Sequence, residues 1–168
     1  TMKKIALSLM SLFLCVLIFA QDRLVSPRQA ADLALANAKS LWGDDLYPGD
    51  ATPLYGPDDS IVAWLFDYSL GKPFPSRQGL MLSSAADLAR NAWEAAFRKG
   101  EYAYMLVGAH RDLPVLIEFS RTLSPQIVYG EMIAQAASQA FPDAYELGRT
   151  YYMGPVDLWT CVTDGHSK

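Results

Sequence analysis

Two carboxylates interrupt otherwise apolar runs, Asp67 inside SIVAWLFDYSL (60–70) and Glu118 inside PVLIEFS (114–120). A pair of carboxylates can divide acid and base roles when their surroundings separate their pKa values. Side chains alternate across a strand, however, so one polar residue in such a run also marks the wet face of a sheet; the wet face is the expectation for both. Cys161 stands five residues before His166. A thiol nucleophile needs a base within hydrogen-bonding reach and a third group to orient it. A strand and its tail are poorly placed to supply these, so Cys161 is expected to be a buried or half-buried strand cysteine. The other histidine, His110, falls in an expected hairpin turn, where a solvated polar residue is ordinary.

Asp44, Asp45 and Asp50 cluster in one segment and Asp58-Asp59 form a turn, and hard oxygens of this kind suit calcium. The ordered alternation of ligands about a central glycine is missing, so solvated loop charge is expected instead. No Gly-rich phosphate loop, Gly-x-Ser-x-Gly elbow or His-Glu-x-x-His pair occurs, and no catalytic, metal or cofactor residue is assigned. Aromatic residues are the remaining candidates. Trp64, Phe66 and Tyr68 alternate along one strand and share a face, as do Tyr102 and Tyr104 on another. Such rows stack on glycans or peptides, and more commonly pack beneath helices. The edge strands of a sheet are also able to pair with an extended peptide.

These residues need elements to hold them. Ser26 and Gln29 form a capping box and Pro27 suits the first helical position, which predicts a helix through Ala30, Leu33, Ala34, Ala38, Leu41 and Trp42, stopped by Gly43. A polar loop over 44–50 follows. Then come a strand over 52–55, a turn at Gly56-Pro57-Asp58-Asp59 and a return strand over 60–70. A Pro- and Gly-rich connection (71–79) leads to a second expected helix, capped at Ser84 and ended by Gly100. Strands over 102–109 and 114–120 flank a turn at 110–113. A third helix opens at Ser124-Pro125 and runs to about Ala140, and a hairpin over 149–153 and 156–162 closes the chain. Helix followed by hairpin thus recurs three times, without repeated sequence. The expected fold class is α+β, an antiparallel sheet of about four to six strands with helices packed on it.

Lys3 and Lys4 precede an uncharged apolar run, Ile5 to Ala20, and the polar pair Gln21-Asp22 follows it. Residues 2–20 therefore read as a bacterial-type secretory signal peptide, short of the roughly 20 apolar residues a membrane span needs. Ile18 stands where a small residue is preferred, which leaves an uncleaved anchor as the alternative and the only expected membrane contact. Leu14 argues against lipid attachment at Cys15. An exported protein is expected, periplasmic, cell-surface or extracellular, with residues 21–168 as one domain. Without Lys3 and Lys4 the chain holds 12 Lys and Arg against 18 Asp and Glu, a formal charge of −6. That balance argues against nucleic acid, whose phosphates require a basic face. Cys161 alone remains, so no disulfide within the chain is expected.

The helix opening Ser26-Pro27-Arg28-Gln29-Ala30-Ala31, the aromatic strand Ala63 to Tyr68, and above all YAYMLVGAHRDLPVLIEFS (102–120) resemble the propeptide regions of secreted cysteine peptidases. The likeness is to the streptopain-type prodomain with its related small inhibitors, and to the amino-terminal regions of C39-like peptidases. TYYMGPVDLWTCV (150–162) looks like the segment that joins such a region to its catalytic domain. The resemblance implies a non-catalytic module that assists folding of a cysteine peptidase domain or inhibits it, in cis or in trans. The catalytic Cys and His of those families have no counterpart here. Read this way, the chain is either a free-standing inhibitor-like protein or the amino-terminal piece of a longer precursor. Two other classes stay open: a surface or periplasmic domain that binds a ligand or peptide, and a small hydrolase built on Asp67 and Glu118.

Overall fold

The computed structural model describes residues 24–74, 100–155 and 157–164. The signal segment, the helix expected after Ser84 and His166 lie outside the described residues. The elements are α1 (Pro27–Trp42), β1 (Leu46–Tyr55), β2 (Ile61–Leu70), β3 (Tyr102–Gly108), β4 (Leu116–Ser120), α2 (Pro125–Val128), α3 (Gly130–Ala140), β5 (Glu146–Gly154) and β6 (Asp157–Thr163). Six strands form one sheet in the order β4-β3-β2-β1-β5-β6. The fold is α+β. Among the described residues no helix is long and apolar enough to cross a membrane.

All three expected hairpins form, and β1–β2, β3–β4 and β5–β6 each pair antiparallel. The first two join through a seven-residue antiparallel register between β2 and β3, with Asp67 opposite Tyr104. The third is attached differently. β5 runs parallel to β1 through only two register positions, Leu54 with Thr150 and Tyr55 with Tyr151.

α1 begins as its sequence dictates. The backbone N–H of Gln29 donates to Ser26 Oγ at 3.3 Å, and that of Ser26 donates to Gln29 Oε1 at 3.1 Å. Gly43 ends the helix at φ 94°, a conformation costly for any residue with a Cβ. The helix packs through a column of alanines: Ala30, Ala34 and Ala38 are fully buried against Trp64, Phe66, Tyr68 and Met105 of the sheet. Leu33 and Leu41, expected on that face, are exposed instead. The small alanines let the backbone approach the large aromatic rings closely, and this turns the leucines to the margins. The row Trp64, Phe66, Tyr68 is therefore core, and Trp42 closes over Tyr68 at 6.3 Å between ring centroids.

The opposite face of the sheet is also buried. Leu54, Ala63, Leu65, Tyr104 and Leu106 form a second cluster there, with Ile117, Tyr152 and Leu158 against it.

Several boundaries differ from expectation, among them the start of β5, at Glu146 and not Arg149. β1 starts at Leu46, inside the expected polar loop, because the full length of β2 offers it partners as far as Leu70; Gly49 and Asp50 are absorbed by a break in register between Pro48 and Ala51. β4 starts at Leu116 and not at Pro114, whose nitrogen has no hydrogen to give the ladder. The third helix is split at Tyr129 into α2 and α3, just before Gly130, a poor helix residue. Ser124 holds the N-cap position of α2, yet its side chain makes no cap bond; its backbone carbonyl accepts from Ile127 and Val128 instead.

Candidate binding surface

Asp67 does not lie on a wet face. It is 6% exposed, on the second buried face of the sheet, and the register sets it across from Tyr104. Glu118 is half-buried on the same face, and the Tyr104 hydroxyl donates to its Oε1. Burial first, then the carboxylate it donates to, holds the Tyr104 phenol well above its ordinary value, so it stays a neutral donor. Tyr152, on β5, is raised in the same direction by burial and by Glu118. The two carboxylates singled out by sequence are thus brought to one face, with a tyrosine between them. The arrangement locks β3 to β4 from inside the protein. Each face of the sheet carries a buried cluster, and sequence alternation failed here because neither face is the wet one.

The aspartates separate into structural roles. Asp44 lies 3.7 Å from Lys39 Nζ. Asp58 Oδ1 accepts from the Ser60 hydroxyl and backbone N–H, which lowers its pKa. Asp59, at the far end of β1 from Asp44, sits in the left-handed region at φ 63° and accepts from the Tyr151 hydroxyl at 2.6 Å. Its second partner is Arg149 at 3.0 Å. Both contacts hold the Asp59 carboxyl below its usual range, Tyr151 contributing most. The Arg149 guanidinium also lies 4.8 Å from the Tyr55 ring centroid. Residues 55, 59, 149 and 151 clasp the narrow parallel joint between β1 and β5. Among the described residues no three metal-ligating groups converge.

Cys161 is exposed, not buried. β6 is the outermost strand, and its odd-numbered positions 157 to 163 all face solvent. Trp159 shares that face and is 64% exposed, the most exposed large apolar side chain among the described residues. Tyr55, Tyr151 and Trp159 occupy neighbouring register positions on β1, β5 and β6 and so form one transverse row.

His110 is half-buried, which corrects its reading as a solvated turn residue. The expected turn is present, with the Leu113 N–H donating to the His110 carbonyl at 3.0 Å. Leu24 forms a β-bridge with His110, and the Val25 N–H donates to the Ala109 carbonyl at 2.7 Å, so the chain entering α1 is stitched to the end of β3. That stitch leaves a cleft of about 460 Å³ between α1 and the β3–β4 connection. Its apolar lining comes from Val25, Leu33, Val107, Leu113 and Val115, with Gln29, Asp32, His110 and Arg111 supplying polar groups. Gly108 belongs to the lining, and a Cβ there would stand 2.6 Å from the Pro114 carbonyl oxygen, so the connection folds back this tightly only over a glycine. The cleft suits an apolar anchor gripped between a helix and a turn, and none of its polar groups is a nucleophile paired with a base.

Sequence reasoning missed the cleft, although Leu33 held a signal. A leucine one step round the helix from an alanine column is the residue turned out when that column packs. Comparison with family models, curated proteins and solved structures returns no match.

Proposed function

We propose that the chain is an exported, non-catalytic module of the propeptide or inhibitor type, which binds a cysteine peptidase domain through the cleft between α1 and the β3–β4 connection. One observation carries the reading. Two of the three segments that resemble peptidase propeptides, the opening of α1 and residues 102–120, lie far apart in the chain, and both reach this cleft, the first through Gln29 and the second through residues 107–115. Its exposed leucines, Leu33 and Leu113, are the side chains a partner would cover. The burial of Asp67 favours binding over hydrolysis by an Asp67 and Glu118 pair, since a substrate would have little approach to the Asp67 carboxyl.

An inhibition assay tests this. Full-length protein titrated into a panel of papain-like peptidases slows hydrolysis of a fluorogenic peptide, and Leu113→Asp weakens that effect by about tenfold or more, as loss of a central apolar contact does. The Leu113→Asp protein melts as the wild type does, because Leu113 is exposed on a connection. Unchanged hydrolysis across the panel would sink the proposal. The volume of the cleft, within the roughly 300–1,000 Å³ typical of ligand pockets, favours a second reading as a ligand-binding domain. In that case peptidases are untouched and a small apolar ligand raises Tm.

A further inference from the structure

The two edges of the sheet are built differently. β4 is five residues long, carries a register break, points Glu118 inward and has the Leu24–Val25 segment stitched beside its turn. These are the usual devices that stop an edge from recruiting another strand. Over its middle, β6 has neither an inward charge nor a covering segment among the described residues. The register breaks of the β5–β6 ladder, one of them opposite Cys161, put their extra residues on β5 and leave β6 itself unbulged. Leu158-Trp159-Thr160-Cys161-Val162 runs without charge, proline or glycine, and no described strand pairs with its outer side.

Acidic residues flank this edge, which is uncovered by any strand among the described residues. Asp157 begins β6, Asp164 follows it, and Glu146 begins β5. The cation of the hairpin, Arg149, is engaged by Asp59. The whole chain is also acidic, at −4. From these observations we propose that β6 is a second docking surface, distinct from the cleft, that takes an extended basic segment of another polypeptide as a seventh strand, with Trp159 as its anchor.

Other occupants fit less well. A second copy of the chain, paired antiparallel, would set Asp157 of each beside Thr163 and Asp164 of the other, acid near acid, which opposes pairing. A sugar needs a flat platform, and the Tyr55 and Tyr151 rings are tilted 53° to each other, with the Tyr151 hydroxyl and the Trp159 indole N–H already donating to aspartates. A basic peptide uses what is present: backbone groups along the edge, an exposed indole against alternate side chains, and acids at both ends.

The test mixes full-length protein with a capped heptapeptide that alternates lysine and valine, and with its glutamate–valine counterpart, and reads amide hydrogen exchange. The lysine peptide is expected to slow exchange across residues 157–163 by about tenfold or more. Its affinity is expected to fall as salt rises from about 0.05 to 0.5 M. Trp159→Ala is expected to weaken it by about fivefold or more. Thr163→Lys, at an exposed position, weakens it through charge alone and guards against an effect of lost packing. Equal binding of the glutamate peptide, protection at the cleft instead of β6, wild-type affinity in Trp159→Ala, or Trp159 quenching by an oligosaccharide in place of the peptide would each overturn the proposal. So would protection of β6 that grows with protein concentration and needs no peptide. Peptidase inhibition that survives in Trp159→Ala leaves the cleft assignment standing in every case.

Discussion

Tyr104 is the residue whose environment has the plainest consequence. It is 5% exposed, donates to Glu118 and faces Asp67 across the β2–β3 register. Its folded pKa lies above its unfolded value, so the stability it contributes is complete below about 10 and drains away as pH climbs toward the folded value. Tyr104→Phe removes a hydrogen bond to a carboxylate, and loss of about 1.5–3 kcal/mol in urea unfolding at neutral pH is the expected result. The same variant should also flatten the alkaline limb of the stability curve. Equal losses at neutral pH with an unchanged alkaline limb would place the titration elsewhere. Composition held no hint of this role. An aspartate and a glutamate in apolar strands looked like the wet side of a sheet, and only the presence of a second buried face changes their meaning.

Elements were legible where local chemistry decides them. Ser26, Pro27 and Gln29 specify the start of α1 among themselves, and the structure has the reciprocal bonds. Ser124-Pro125 looks the same in sequence, but Ser124 is buried and its hydroxyl makes no cap bond. Ser26→Ala is accordingly expected to cost about 1 kcal/mol in denaturant unfolding, the usual value of a working cap. Ser124→Ala should cost distinctly less, and equal losses would contradict the geometry. Hairpins were equally legible, because turn residues and strand alternation are neighbours in sequence. The helix face was only half legible. Periodicity marks Leu33 and Ala34 as one apolar stripe, while the size of the opposing aromatic rings selects the alanine.

At the scale of the molecule, the order of the hairpins was hidden from sequence. A period of two says that a strand has two faces and nothing about which strand lies beside it. The β1–β5 joint, with two register positions and the clasp of Asp59 to Tyr151 and Arg149, is a long-range pairing with no local mark. That joint carries β6 outward and leaves Trp159 exposed. The β3–β4 connection, at the other end of the sheet, comes to rest beside α1 and makes the cleft. The start of α1 and the β3–β4 connection thus meet on a surface that no single stretch of the chain predicts. The most direct test of the binding account is a hydrogen-exchange footprint of the full-length protein with and without a papain-like peptidase whose active-site cysteine is blocked. Slowed exchange at residues 25–33 and 107–115, with β1 and β2 unchanged, is the predicted result; no slowing there, or slowing confined to another face of the protein, would contradict it.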